Sequence, residues 1–239
     1  MYYIGSKNKY MKELAPIIQS YITPDTKGYF EPFVGGANSI CKINHPNRIG
    51  WDIHTPLVAL LQKVQEGISD IPDRISEEEY IRVRDNKENY PDWYLGLVGF
   101  CATFSAKYFG GYARGNNINV AEEAIRHLKR QAPNLKDIQF SNLDFFNIDT
   151  SKFSNYVIYC DPPYKGTLKY STKTFDYERF YLLCNELAKN NIVLISEYNC
   201  ELENAKCIWQ KGSKVTISST RGNNNLMNNR VEKLFIIES

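Results

Sequence analysis

The chain is short of what most metal and disulfide chemistry needs. It has three histidines and six cysteines in 239 residues, and no two cysteines stand in a C-x-x-C pair. That excludes a zinc finger or a redox dithiol and predicts a reduced, cytoplasmic chain without a metal. No apolar run reaches the ~20 residues of a membrane span, and the first residues carry no apolar signal core. A soluble protein with no membrane partner, monomeric in solution, is the expectation. Charge of one sign is also scarce: a net +2 excludes a protein that coats nucleic acid by bulk attraction, so any such binding rests on local patches. What remains, 43% hydrophobic and 23% charged, is the composition of an ordinary globular domain.

The stretch richest in chemistry is Tyr159-Cys160-Asp161-Pro162-Pro163-Tyr164. The apolar residues just before it read as a buried strand. Two prolines then stop that strand, since neither can donate to a ladder and each fixes its own φ. An acid and an aromatic ring are thereby held at the carboxyl end of a strand, where ligands bind in open α/β sheets. The alternative is a proline turn that only ends the strand.

Other strand ends carry similar groups. Gly28-Tyr29-Phe30-Glu31-Pro32-Phe33 reads as a strand running into the turn Val34-Gly35-Gly36, an arrangement that lets backbone approach a cofactor closely. A second strand ends on Asp52, placed to bond ribose hydroxyls or to cap the helix predicted over 54–66; both hold together. Residues 138–143 alternate as a strand and end on Asp144-Phe145-Phe146. Ahead of all these, Gly5-Ser6 forms a turn that sets Lys7 at the entrance of a helix over 7–21.

Between 71 and 133 the pattern changes. Ser76 with Glu79 predicts a capped helix, and Pro91 restarts a second one with Tyr94, Leu97, Val98, Cys101 and Phe104 on its inner face. The segment 107–117, dense in glycine, aromatics, cations and amides, has no periodicity and is either a connector or a surface for nucleic acid. A helix opened by Asn119 and Glu122 ends near Arg130, and Pro133 closes the insertion. Beyond the central strand come a cationic loop with Lys165, Lys169 and Lys173, a helix capped by Asp176 with a Phe175–Phe180 staple, and a strand over 192–195. Strands over 206–210, 214–218 and 231–237 finish the chain, the last two flanking an asparagine-rich run that begins at Arg221.

Taken together these segments resemble the DNA adenine N6-methyltransferases of the Dam-like D12 type. The resemblance rests on Tyr3-Ile4-Gly5-Ser6-Lys7, Phe30-Glu31-Pro32-Phe33-Val34-Gly35-Gly36, Asp52-Ile53, Asn142-Leu143-Asp144-Phe145 and Asp161-Pro162-Pro163-Tyr164, in the family's order. It implies an α/β fold: a Rossmann-like S-adenosylmethionine-dependent methyltransferase sheet with helices on both faces. Residues 1–70 and 134–239 would form the catalytic domain, and 71–133 a mainly helical target-recognition insertion. The implied cofactor contacts are Tyr3, Lys7, Phe33, Gly35, Gly36, Asp52, Asp144, Phe145 and Asp161. The implied partner is double-stranded DNA, contacted by Tyr108, Tyr112, Arg114, Asn116, Lys165, Lys169 and Arg221. Phe109-Gly110-Gly111-Tyr112-Ala113-Arg114 departs from the family's Phe-Asn-Gly-Leu-x-Arg at two positions, Gly110 and Tyr112. Methyl transfer would fall to Asp161, Pro162, Pro163 and Tyr164: acid and proline carbonyl accept the hydrogens of an extruded adenine amine, and the tyrosine ring stacks the base.

Overall fold

The structure, a computed structural model, describes residues 1–3, 5–115, 119–164, 175–214 and 229–238. Its frame is one sheet of seven strands: β1 (Gly28–Glu31), β2 (Arg48–Asp52), β3 (Ile138–Asn142), β4 (Tyr156–Cys160), β5 (Ile192–Glu197), β6 (Ala205–Lys214) and β7 (Asn229–Ile237). The spatial order is β3-β2-β1-β4-β5-β7-β6. Strands β1 to β5 pair in parallel, while β7 runs antiparallel to both β5 and β6. The order reverses between β1 and β4, which makes that crevice the topological switch point.

Successive residues of the central strands go to opposite faces, as pleating demands. Tyr29, Val157, Tyr159 and Leu194 join one apolar cluster; Phe30, Ile158, Cys160, Val193 and Ile195 join the other. The first face is covered by α1 (Met11–Ser20), α2 (Thr55–Glu66), α3 (Glu77–Asp85), α4 (Asp92–Cys101) and α5 (Val120–Leu135). The second is covered by α6 (Tyr177–Ala188) with Phe145 and Phe153 from short 3-10 turns and their flanks. A mainly parallel sheet with helices on both faces is the fold that the resemblance implied.

Local signals hold where they are local. Ser76, Asn119 and Asp176 each accept the backbone N–H three residues on, at 3.1, 3.1 and 3.0 Å, and the Phe175 and Phe180 rings meet at 5.5 Å. Three expectations change. Helix α5 runs through Pro133 to Leu135, because Leu135 is fully buried and a proline in a last turn forfeits only one hydrogen bond. Phe104 is not on the inner face of α4 but 73% exposed, since the helix ends at Cys101. The strands expected over 206–210 and from 214 are one strand, β6, which pairs with β7 from Ala205 to Lys214; residues 215–218 lie outside the described ones.

The helices of the insertion have no core of their own. Leu97 and Val98 of α4 and Leu128 and Leu135 of α5 belong to the cluster that holds Tyr29 and Val157 of the sheet. At Gly96 a β-carbon would stand 2.1 Å from the Pro56 carbonyl oxygen, so α4 lies directly on α2. No helix among the described residues is long and apolar enough to cross a membrane.

Candidate active site at the carboxyl edge of the sheet

Asp161 follows β4 directly, and the glycine turn follows β1, its neighbour across the switch point. The N-terminal segment closes the crevice. Gly5 adopts φ +78°, and the Ser6 N–H donates to the Tyr3 carbonyl at 3.1 Å. The turn delivers Lys7, whose ammonium is 2.9 Å from Asp161 Oδ1, 3.3 Å from the Gly5 carbonyl and 4.0 Å from Glu232 Oε2. Lys7 is 7% exposed. Burial works against its charge, yet Asp161 and Glu232 outweigh it and hold the ammonium above the ordinary lysine value. Burial pushes the Asp161 carboxyl up, while Lys7 pulls it back.

Tyr3 explains the paired glycines. A β-carbon at Gly35 would meet the Tyr3 ring at 2.8 Å, and one at Gly36 would meet Tyr3 Cβ at 2.8 Å; Gly35 also has φ +49°. The turn is therefore shaped to lie under an aromatic ring. Asp52 supports it: Oδ2 accepts the Gly35 N–H at 3.0 Å and Oδ1 the His54 N–H at 2.9 Å. Asp52 does not cap α2 as one reading of the sequence had it: the N-cap is His54, no side chain caps the helix, and Asp52 bonds the N–H of His54 just ahead of it. Each oxygen keeps a further lone pair for a hydroxyl donor.

Not every expected contact reaches this edge. Phe145 is 2% exposed, its ring packed against Phe33 at 5.2 Å and Phe180 at 5.6 Å; Phe33 is half-buried in the same aromatic cluster. Asp144 turns onto its own chain, Oδ1 accepting the Phe146 N–H at 2.9 Å. Pro162 is buried and Pro163 exposed. Tyr164 is 8% exposed, turned inward rather than out to solvent. Its hydroxyl donates to Glu232 Oε2 at 2.8 Å, its ring meets Tyr198 edge-on at 4.5 Å, and the Lys7 ammonium stands 4.2 Å from its centroid. A buried phenol needs an acceptor, and Glu232 supplies it.

The residues expected to face DNA divide. The Tyr108 ring sits 4.5 Å from His54 and 5.1 Å from Phe100; the Tyr112 hydroxyl donates to the Ile75 carbonyl at 3.1 Å. Tyr108 thus packs between the start of α2 and the end of α4, and Tyr112 packs against Tyr80 of α3. Arg114 is well exposed and paired with Glu77. Asn116, Lys165, Lys169 and Arg221 lie outside the described residues.

Four residues went unread in the sequence. Glu232 sits on the inward face of β7 with Leu234 and Ile236, and a charge in an apolar alternation was its signal. The Tyr177 hydroxyl donates to the Pro163 carbonyl at 2.5 Å. Gln131, on α5, donates to the Gly36 and Ala37 carbonyls at 3.1 and 2.9 Å, tying the insertion to the glycine turn. Glu31 is 1% exposed and accepts from Tyr29 at 2.7 Å and Ser39 at 3.1 Å; burial pushes its carboxyl up to about 8.

The model of the D12 class of N6 adenine-specific DNA methyltransferases matches residues 3–207, which include Lys7, the glycine turn, Asp52, Asp144 and Asp161 but not Glu232. The chain belongs to that family. The family's relatives include the type II methyltransferase M.FokI of Planomicrobium okeanokoites, 29% identical over 187 residues, 68% of this chain and 28% of M.FokI. They also include the type II methyltransferase M.CviBI of Paramecium bursaria Chlorella virus NC1A, 26% identical over 204 residues, 74% of this chain and 75% of that one. The chain spans little more than a quarter of M.FokI but three quarters of M.CviBI. The crystal structure of SMU.472 complexed with SAH superposes at a TM-score of 0.39, with 14% identity, over 98% of this chain and 52% of its own.

Proposed function

We propose that this chain transfers the methyl group of S-adenosylmethionine to the N6 amine of an adenine extruded from duplex DNA at a specific site. The observation that carries the reading is the Lys7–Asp161 pair at the switch point, 2.9 Å between charged atoms and facing the Gly35–Gly36 turn. The donor set suits the cofactor. Two carboxylates, Asp161 and Glu232, share one ammonium, which leaves an excess of negative charge complementary to a sulfonium. Asp52 retains acceptor capacity for ribose hydroxyls, and Tyr3 with the glycine turn offers a flat wall. When bound, S-adenosylmethionine supplies an electrophilic methyl group.

The rest of the work falls to the protein. An exocyclic adenine amine is a poor nucleophile because its lone pair is delocalised into the ring. The Asp161 carboxylate and the Pro162 carbonyl accept its two hydrogens, which turns the nitrogen lone pair toward the methyl donor by positioning and electrostatics. The prolines keep that carbonyl in one direction, and Tyr177 binds the neighbouring Pro163 carbonyl from the other side. Burial raises the Asp161 carboxyl, and Lys7 pulls it back toward the ionised, acceptor-only form. The base reaches this edge by leaving the duplex, and Tyr164 provides the ring beside it. Arg114 and the lysines of 165–173 serve the phosphates.

The test is incorporation of labelled methyl groups into unmethylated duplex DNA and into structured RNA. Asp161→Ala should abolish transfer to DNA in a protein that still folds, with a lower unfolding temperature because the buried Lys7 ammonium loses its partner, and RNA should not be methylated. Near-normal turnover of the variant would refute the catalytic assignment. DNA affinity should fall steeply as salt is raised.

A further inference from the structure

The last strand reverses direction, and that reversal has a chemical consequence. Because β7 runs antiparallel to β5, with Glu197 opposite Lys233, its first residues lie at the carboxyl ends of the parallel strands. It is thus an N-terminal strand residue, Glu232, that arrives at the edge where Asp161 sits. Its neighbours on the same face, Leu234 and Ile236, are apolar core. A carboxylate on such a face costs solvation and persists only with partners. Glu232 has two, and both are groups assigned to the reaction. Oε2 accepts the Tyr164 hydroxyl at 2.8 Å and stands 4.0 Å from the Lys7 ammonium, which also touches the Tyr164 ring face at 4.2 Å.

We propose that Glu232 is a positioning residue of the methyl-transfer site: it fixes the direction of the Tyr164 ring through the hydroxyl and divides the Lys7 ammonium with Asp161. The inference rests on the reading of Asp161 to Tyr164 as the reacting segment. Contacts that hold the ring come from Glu232 on β7, from Tyr198, from Lys7 and from Asp161. Without Glu232 the phenol loses this acceptor and is left to bond Asp161, which shifts the ring and occupies the carboxylate that the adenine amine needs. The carboxamide of glutamine keeps an oxygen for the same hydroxyl but gives up the charge.

The experiment is a double-mutant cycle on the full chain, with DNA from a methylation-deficient host as methyl acceptor and labelled S-adenosylmethionine as donor. Glu232→Ala should lower kcat at least about tenfold, and Tyr164→Phe comparably. The double variant should be within about threefold of the worse single variant, because coupled groups lose their shared interaction only once. Glu232→Gln should recover most of the turnover, whereas a purely structural role predicts no such parallel between hydroxyl and carboxylate losses. Affinity for S-adenosylmethionine, measured by calorimetry, should change much less than kcat. Losses that multiply in the double variant, or an alanine variant with normal kcat, would overturn the proposal. Asp161→Ala is run alongside. If it stays active the methyl-transfer reading itself fails; if it is dead while the cycle shows no coupling, only the role of Glu232 fails. Unfolding temperatures of all variants separate misfolding from mispositioning, and if Glu232→Ala does not fold, a Glu232→Leu and Tyr164→Phe cycle, in which the acceptor is removed at similar volume, carries the same test.

Discussion

Lys7 and Asp161 meet at 2.9 Å, both largely shielded from water, although one begins the chain's first helical turn and the other directly follows its fourth strand. The pair ties the N-terminal segment to the reacting edge, so stability and chemistry are linked at one contact. Removing one partner of a buried pair leaves an uncompensated charge.

Lys7→Met should therefore destabilise the fold by about 3–5 kcal/mol near pH 8 and stop methyl transfer. With the ammonium gone, only the Tyr164 hydroxyl still opposes the burial that raises the Asp161 carboxyl. A group whose folded-state value is raised loses its stabilising contribution as pH rises, so the variant should recover stability toward pH 5. Denaturant titrations at several pH values test this; equal losses at pH 5 and pH 8 would refute it.

Glu31 makes a pH prediction for the unmodified protein. Burial holds its carboxyl at about 8 in the fold, against an ordinary unfolded value. The native state therefore binds one more proton between these limits. Stability from this group is complete below about pH 4.5 and declines by about 1.4 kcal/mol per pH unit until it levels off above the folded value. Glu31→Gln should flatten that decline and be more stable than the parent at pH 8. A slope unchanged by the substitution would count against a protonated Glu31.

Gly35 and Gly212 should respond oppositely to the same added methyl group. At Gly35 the left-handed backbone and the Tyr3 ring 2.8 Å from an added β-carbon predict a loss of about 1–3 kcal/mol and weaker S-adenosylmethionine binding by calorimetry. At Gly212 the added β-carbon meets nothing within 4 Å, so alanine should change stability by no more than about 0.5 kcal/mol.

Gln131 should behave as part of the cofactor site although it lies in a helix of the insertion. Gln131→Leu keeps the volume but leaves the Gly36 and Ala37 carbonyls without their donor. A cost of about 1–3 kcal/mol is expected for each buried acceptor so orphaned, with KM for S-adenosylmethionine raised more than kcat is lowered. A stability loss with unchanged KM would confine Gln131 to packing.

The sequence by itself determined what depends on near neighbours. Short apolar runs marked the central strands, and alternation marked β3 at the edge, because both patterns are local. Ser76, Asn119 and Asp176 marked helix starts because a cap bonds only three residues on. Asp52 and Asp161 were legible as strand-end acids, and the order of short motifs was enough to point to the family. Tertiary structure alone decided the rest. Pro133 reads locally as a helix stop, yet burial of Leu135 outweighs one lost hydrogen bond. Tyr108 and Tyr112 read as a free aromatic surface until α3, α4 and His54 enclose them. The direction of β7, and with it the placement of Glu232 beside Lys7 and Tyr164, has no local signature. It is set by pairing with β5 and β6, strands whose partner is chosen by burial and register across the sheet rather than by adjacent residues.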